Sequence, residues 1–570
     1  MGMLIKINNP KGKVPRITEK QLPVNYATIA RNCDFRRNRW QAMNNNSSVL
    51  SLGSGTAYKS IFKLGTKWIC WATSVDVVKA PIATTDDRII YTGSSDYPKQ
   101  TISDWITSGN PPGTERRLGV PAPGDGETPL TVTVQGTGTG TVIATVAYIY
   151  VGVTAWGEIS CISQATEPID IEEGQYVRLS GFIKNSLATT GNDITHFMVY
   201  RTITSITGSR AYQLVKVRID DTFADAVWQV PVDTFTYVYD VYHGGICSPS
   251  TLNHQLGDPV ISMSWQPPPT TLKGLCIYQN NILAGFDGRK VYLSELGYYY
   301  AFKDSNVIET DYDIIGLAPF NETLIVATKA YPYLISGSDP AAVSKKRIYH
   351  LQPCLSKASI VTTPAGVFYA GHDGLVWCDG YVAKTITKHL YTDSQWTALN
   401  PQNLIGFYWQ GKYYGFFSGT KTGIIIAIEE DLPYVVDITL TNNAVSGFLS
   451  ADDNALYLLT VTDGGAYAIE KWEGAATKAT MTWKSGEIYT SPTNFGCAQI
   501  VGADFGAAGS ISFKWYADGV LKNTTTVTDE SSFRLPAGFL SGCHEVEVQT
   551  SVDFDWILIG HSPRELNVNG

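Results

Sequence analysis

The chain is short of charge, and of positive charge above all. Only 17% of its 570 residues are Asp, Glu, Lys or Arg, and 43 Lys and Arg face 52 Asp and Glu, for a net charge of −9. Surfaces that grip nucleic-acid phosphates take their affinity from clustered Lys and Arg, so that class is disfavoured, whereas a wall past which DNA slides is not. Cysteine is scarce and scattered: nine residues, an odd number, with no CxxC pair. Neither a zinc ribbon nor a disulfide framework is implied, and buried free thiols in a protein made in reducing cytoplasm are expected. The opening stretch MGMLIKINNPKGKVPRITEK has charge but no apolar h-region, so no secretory signal is read there. The most apolar stretch, residues 141–156, is too short for a bilayer-spanning helix and is broken up by Thr and Gly. Membrane insertion by this chain alone is not expected. No G-x-S-x-G elbow, P-loop or H-E-x-x-H occurs, which removes the easily recognised hydrolase and nucleotide-binding options.

What is abundant is aromatic and turn-forming. Aromatics make up 12% of the chain, with 32 Tyr, and 52 Gly accompany them, which suits a turn-rich all-β protein and argues against a helical bundle. One pattern is written five times, at residues 281–294, 323–337, 366–380, 412–428 and 455–472. Each copy is an apolar or aromatic run, a turn and a second run, as in NILAGFDGRKVYLS and ALYLLTVTDGGAYAIEKW. The copies start about 43 residues apart, the period of a four-stranded propeller blade. A lone hairpin buries one face and is marginal, so evenly spaced hairpins need neighbours, and a closed ring removes their exposed edges.

The fold class expected is therefore all-β: a β-propeller with two attached sandwiches. Residues 1–124 read as the N-terminal part of the propeller, with strand pairs near 68–78 and 88–93 and an N-terminal strand that closes the ring. The linker Pro121-Ala122-Pro123-Gly124 then interrupts the period. Residues 125–250 carry short alternating strands that suit an inserted immunoglobulin- or fibronectin-III-like sandwich. After Trp265-Gln266-Pro267-Pro268-Pro269 the propeller resumes over residues 251–480, and residues 481–570 read as a C-terminal β-sandwich. An insertion at a blade loop costs little loop entropy, so removing residues 127–248 is expected to leave the ring folded.

Words from several regions together carry a resemblance. They are Ala30-Arg31-Asn32-Cys33-Asp34 with Arg36 and Arg37, Leu272-Lys273-Gly274-Leu275 followed by Asn281-Ile282-Leu283-Ala284-Gly285-Phe286, and Tyr331-Pro332-Tyr333-Leu334-Ile335-Ser336-Gly337. Gln352-Pro353-Cys354-Leu355-Ser356-Lys357 and Gln395-Trp396-Thr397-Ala398-Leu399-Asn400-Pro401 continue it. In these words the chain resembles the tailed-bacteriophage tail-nozzle or tail-hub proteins, the propeller-containing packaged-DNA stabilisation family. The words are structural rather than catalytic. The resemblance implies a non-enzymatic virion protein, made in the host bacterial cytoplasm and located in the virion tail. It further implies a homo-oligomeric ring, a hexamer, beneath the portal and adaptor, contacting tailspike or tail-fibre proteins. Genomic double-stranded DNA would be retained and then conducted through the lumen without sequence-specific contacts.

Acidic stretches are candidates for such a DNA-shedding lining: Asp304, Glu309, Asp311 and Asp313, then Glu429-Glu430-Asp431, then Asp452-Asp453. No catalytic, cofactor or metal residues are assigned. Adjacent His372 and Asp373 are considered as an acid/base or metal pair and read instead as turn residues. Tyr298-Tyr299-Tyr300 is a candidate carbohydrate-stacking or subunit-contact patch, with a half-buried strand end as the other reading. Asn45 and Asn46 each begin an N-x-[ST] sequon, read as a polar loop. Two alternatives stay open: a propeller-based adhesin binding a receptor or polysaccharide through the inserted sandwich, and a polysaccharide-degrading enzyme.

Overall fold

The computed structural model describes residues 4–568 other than 83–86, 127, 185–190, 203–210, 221–225, 241–255, 429–431 and 507–508. Each of the five repeated hairpins forms the middle of a four-stranded antiparallel sheet. Blade 3 is Lys273–Ile277, Leu283–Asp287, Lys290–Glu295 and Tyr298–Glu309. Blade 4 runs from Ile314–Phe320 to Ser344–Arg347, blade 5 from Val361–Thr363 to Ala383–Thr385, and blade 6 from Leu404–Trp409 to Tyr434–Thr439. Blade 7 has only three strands from its own stretch, Asn443–Ser450, Ala455–Val461 and Tyr467–Lys471. Its fourth comes from the other end of the sequence: Ser47–Gly53 pairs with Tyr467–Lys471 and closes the ring.

The N-terminal strands supply two further blades, which makes seven among the described residues. Blade 1 is the hairpin Ser60–Leu64 and Lys67–Trp71, widened by a parallel bridge between Ile69 and Asn110. Blade 2 is Asp76–Lys79, Ile89–Thr92, Lys99–Thr101 and Arg116–Arg117. Each neighbouring pair shares its own apolar layer: Ile61, Trp68 and Cys70 meet Tyr457 and Leu459 between blades 1 and 7, and Val291 and Leu293 meet Leu324 and Val326 between blades 3 and 4. Middle strands are therefore covered on both faces and read as near-continuous buried runs, as in Ala455–Val461, while the period-2 signal survives on an inner strand such as Ile314–Phe320.

The inserted sandwich interrupts the connection from blade 2 to blade 3. One sheet orders Thr131–Gln135, Tyr176–Ser180, Tyr237–Asp240 and Val217–Ile219; the other orders Tyr148–Thr154, Ile194–Thr202, Tyr212–Val215 and Leu256–Pro259. Leu256 pairs with Val215, so the sandwich extends past the expected boundary at residue 250.

The N-terminal boundary also differs from expectation. Ile5–Ile7 pairs with Trp556–Gly560, and Ala27–Arg31 pairs with Met481–Ser485, so the first strands complete the C-terminal sandwich instead of a blade. The reason is packing: Trp40 stacks on Phe554 at 4.7 Å and meets Trp483 edge-on at 5.3 Å, with all three rings sealed from solvent. Ala27–Arg31 also touches blade 6, where Arg31 bridges Asp437. One sheet thus runs from Leu404–Trp409 at the axis out to Val520–Val527 at the far edge of the C-terminal sandwich.

Candidate functional site: the propeller axis and the docked sandwiches

Inner strands of blades 1, 2, 5, 6 and 7 wall a cavity of about 730 Å3 on the axis. Glycines let those strands approach. A Cβ at Gly406 would lie 2.3 Å from the Tyr413 hydroxyl, which donates to the Ser359 carbonyl at 3.1 Å, and one at Gly447 would lie 2.6 Å from the Phe407 ring. At one mouth Lys357 of the blade 5 approach reaches across to the Asp76 carboxylate at the start of blade 2. Asp76 also accepts the Gly274 N–H at 2.6 Å, so three separate parts of the ring meet at one carboxylate.

A second constellation fixes the inserted sandwich to the ring. Glu158, 3% exposed, leaves the sandwich and enters a pocket of blades 2 and 3. Gln100 donates to both of its oxygens at 2.9 Å, Tyr299 donates at 3.2 Å, and the Arg88 guanidinium stands 3.6 Å away. Arg88 also donates to the Tyr299 hydroxyl at 2.8 Å. Trp156, two residues before Glu158, stacks on Trp105 of blade 2 at 5.4 Å, while Arg88 and Arg116 lie over its ring at 3.8 and 4.3 Å. Burial pushes the Glu158 carboxyl up, opposed by Gln100, Arg88, Tyr299 and Arg116; burial likewise lowers Arg116.

The third constellation ties the terminal segments to blade 6. The buried Asp34 carboxylate accepts from Arg36 Nε at 2.6 Å, Arg36 reaches Glu473 at 3.2 Å, and Lys412 of blade 6 stands 4.0 Å from Asp34. Burial raises Glu473, against the pull of Arg36. Asp34 and Arg36 belong to the first word of the resemblance, and here they form the seam where the chain passes from the C-terminal sandwich into the ring.

The candidate acids fall elsewhere. Asp304 and Glu309 lie on the outermost strand of blade 3, and Asp311 and Asp313 sit in the turn that leads from it into Ile314–Phe320, the inner strand of blade 4. Most are matched by cations: Glu309 with Arg289 at 3.6 Å, Asp311 with Arg347, Asp313 with Lys329 at 2.8 Å, Asp452 with Lys79 at 4.0 Å and Asp453 with Lys63 at 3.1 Å. Asp304 accepts from Gln266 at 3.1 Å. Among these acids none lines the axial cavity, whose carboxylate is Asp76, a residue the charge pattern did not single out. Glu429-Glu430-Asp431 lie outside the described residues.

His372 and Asp373 bond to each other at 2.7 Å in the blade 5 turn, and Gln352 also holds Asp373, which lowers its carboxyl. Tyr298-Tyr299-Tyr300 is not a surface patch: Tyr299 and Tyr300 are buried against the inserted sandwich, and Tyr298 packs on Trp265 at 4.7 Å. Asn45 bonds Thr477 and Asn46 bonds Glu470, each at 3.1 Å, inside the closing seam. Sequence reasoning missed Glu158. Its only signal was a carboxylate beside Trp156 in a strand-rich stretch, which spacing alone does not mark.

No family model and no curated protein matches the chain. Among solved structures it is similar to BBS1N, crystallised in complex with ARL6DN, at 9% identity and a TM-score of 0.29 over 77% of this chain and 100% of that one. It is also similar to the Myceliophteria thermophila Cps50 (Swd1) β-propeller domain, at 11% identity and a TM-score of 0.25 over 50% of this chain and 94% of that one. Hsv2 of Kluyvelomyces marxianus is similar at 7% identity and a TM-score of 0.24 over 52% and 90% of the two chains.

Proposed function

We propose that this protein is a structural, non-enzymatic component of a bacteriophage tail, a nozzle or hub whose subunits close into a ring around the path of the genome. The observation that carries the reading is a propeller with docked sandwiches that bears two separate exposed apolar and aromatic faces. On the rim of blades 4 and 5, Tyr349 and Tyr381 are 85% and 71% exposed beside Leu351 and Val382. On the tip of the C-terminal sandwich, Leu540 is 69% exposed near Val520, Leu521 and Tyr489. Closing a ring takes heterologous contacts, in which one face of a subunit fits a different face of its neighbour. Exposed apolar and aromatic clusters of this kind mark interaction surfaces.

The buried contacts that dock both sandwiches on the ring support the same reading, because closed symmetry needs the two faces held in one relative orientation. The resemblance supplies the remaining detail: six copies, a portal and adaptor above, tailspike or tail-fibre proteins attached, and double-stranded DNA in the lumen. The test is the mass of the purified protein in solution, with negative-stain images of the same sample. A closed multimer with an axial opening supports the proposal. A monomer that saturably binds cell-surface glycan or receptor overturns it in favour of an adhesin.

A further inference from the structure

We propose that the rim of blades 4 and 5 on one copy of this chain seats on the outer face of the C-terminal sandwich of the next copy, an inference that rests on the ring reading above and names the two halves of its subunit contact. The two faces are alike in apolar character and opposite in charge. On the rim, Lys346 and Lys384 are exposed and pair with no carboxylate among the described residues. Lys346 stands over the Tyr381 ring at 5.7 Å and Lys384 over Trp377 at 6.0 Å, so both ammonium groups sit among aromatic rings. Lys345, whose ammonium donates to the Glu309 carbonyl at 2.5 Å, adds a third cation. Of the nearby acids, Asp311 is taken by Arg347, and Asp379 is held in its turn by the N–H groups of Tyr381 and Val382 at 2.9 and 2.8 Å.

On the C-terminal sandwich the strands Ile488–Thr493, Ser541–Thr550, Ile511–Ala517 and Val520–Val527 lie side by side. Tyr489 stands opposite Cys543, and Tyr516 stands between Glu545 and Leu521, so the two-residue period puts Tyr489, Cys543, Tyr516 and Leu521 on one face. The lysines of that face are neutralised, Lys484 by Glu545 at 2.5 Å and Lys514 by Glu547 at 2.8 Å. Lys522 lies off it, over the ring of Phe539, which stacks on the core-facing Trp515. Glu487 and Asp518 are left over. Glu487 accepts the Tyr489 hydroxyl and Asp518 accepts two backbone N–H groups at 3.2 and 3.1 Å, and neither meets a cation among the described residues. Their field reaches the Cys543 thiol between them, which burial and then Glu487, Glu545 and Asp518 push up.

The signs decide which face meets which. Rim against rim would set ammonium on ammonium, and sandwich against sandwich carboxylate on carboxylate, so a two-fold contact between like faces is disfavoured. Rim against sandwich matches Lys346 and Lys384 with Glu487 and Asp518 while burying Tyr349, Tyr381, Leu521 and Tyr489. Such a contact is heterologous, and repeated by rotation it closes a ring. An anionic polymer would use the lysines but has no use for the exposed tyrosines' apolar neighbours or for the acidic face.

The test follows the mass of the full chain by light scattering over about 1 to 100 µM. Wild type should assemble, and carbodiimide coupling should link Lys346 or Lys384 of one copy to Glu487 or Asp518 of another, told from links within a chain by mixing isotope-labelled and unlabelled protein. Lys346→Glu and Glu487→Lys, each checked for folding by its melting curve, should each weaken assembly by about a hundredfold, and the chain carrying both should regain about tenfold of that. Assembly that both single variants leave unchanged, or cross-links that fall elsewhere, overturns this contact and leaves the ring reading standing. A wild type that is monomeric throughout the range overturns this contact, and the ring reading falls with it where that monomer binds glycan or receptor. Dextran sulfate bound by monomers through Lys346, with no self-association, shows the rim to serve an anionic polymer and likewise overturns the contact.

Discussion

Glu158→Ala is the sharpest test of how the molecule holds together. The substitution removes an acceptor that receives Gln100 through two contacts at 2.9 Å and Tyr299 at 3.2 Å, and takes the anion from beside Arg88 at 3.6 Å. Arg88 and Arg116, 8% and 9% exposed, then stay buried without that carboxylate. Breaking a buried ion pair by deleting one partner costs about 3–5 kcal/mol, because the remaining charge is left in a poorly solvated place. Differential scanning calorimetry of the full chain should show the ring and the inserted sandwich melting earlier by roughly ten degrees, given about 2–4 °C per kcal/mol for units of 150–250 residues. Limited proteolysis should cut first near the linkers around Pro121 and Pro267. A Glu158→Ala melt within about 0.5 kcal/mol of the parent, the scatter of a neutral surface change, would refute the claim that the sandwich is locked to the ring. The same geometry revises the expected ease of deleting residues 127–248. That deletion discards Glu158 and Trp156 together and strips the cover from Arg88, Arg116, Tyr299 and Tyr300, so the shortened chain should be markedly less stable than a chain that loses a tethered module.

Three further outcomes are expected. His544, sealed between Trp515 and Phe495 with hydroxyls of Thr490 and Ser541 at 3.1 and 3.3 Å, is held below its ordinary pKa by burial. The unfolded chain then takes up a proton that the folded one refuses, so stability present above about pH 6.5 is lost as pH falls below it. Denaturant melts across that window should show the C-terminal sandwich weakening, and His544→Phe should flatten the slope. Leu50→Pro, in the strand that pairs with Tyr467–Lys471, removes a ladder N–H and should cost about 1–3 kcal/mol while making hydrogen exchange in blade 7 faster; unchanged exchange there would deny that this strand closes the ring. Gly406→Ala puts a methyl 2.3 Å from the Tyr413 hydroxyl and 2.9 Å from the Ser359 carbonyl, and should destabilise by about 1–3 kcal/mol in urea unfolding.

The repeat was legible because it is local. Alternation around a turn such as Phe286-Asp287-Gly288 is dictated by strand geometry and by the φ of 57° that Gly288 adopts, and both are written within a few residues. Five evenly spaced copies then imply stacking, since no single hairpin buries enough surface. The all-β class, the interrupting insertion and the extra C-terminal strands follow from the same local signals. The sequence by itself determined the kind of element at each place and the approximate order of bodies along the chain.

Tertiary structure decided which elements join. Ile5–Ile7 and Ala27–Arg31 carry ordinary strand patterns, and nothing local says that their partners are Trp556–Gly560 and Met481–Ser485, more than 400 residues away. The choice is made by burial of Trp40, Trp483 and Phe554 in one cluster, a property of three distant side chains at once. The candidate acids illustrate the converse: clusters read from sequence lie outside the axial cavity and meet Arg289, Lys329, Arg347, Lys79 and Lys63, whereas the cavity itself holds the pair Asp76 and Lys357. Glu158 was invisible for the same reason, since a carboxylate becomes a buried lock only when Arg88, Gln100 and Tyr299 converge on it from separate strands. Periodicity is a short-range consequence of backbone geometry, while pairing and charge matching are long-range consequences of closure, and only the closed ring brings them into being.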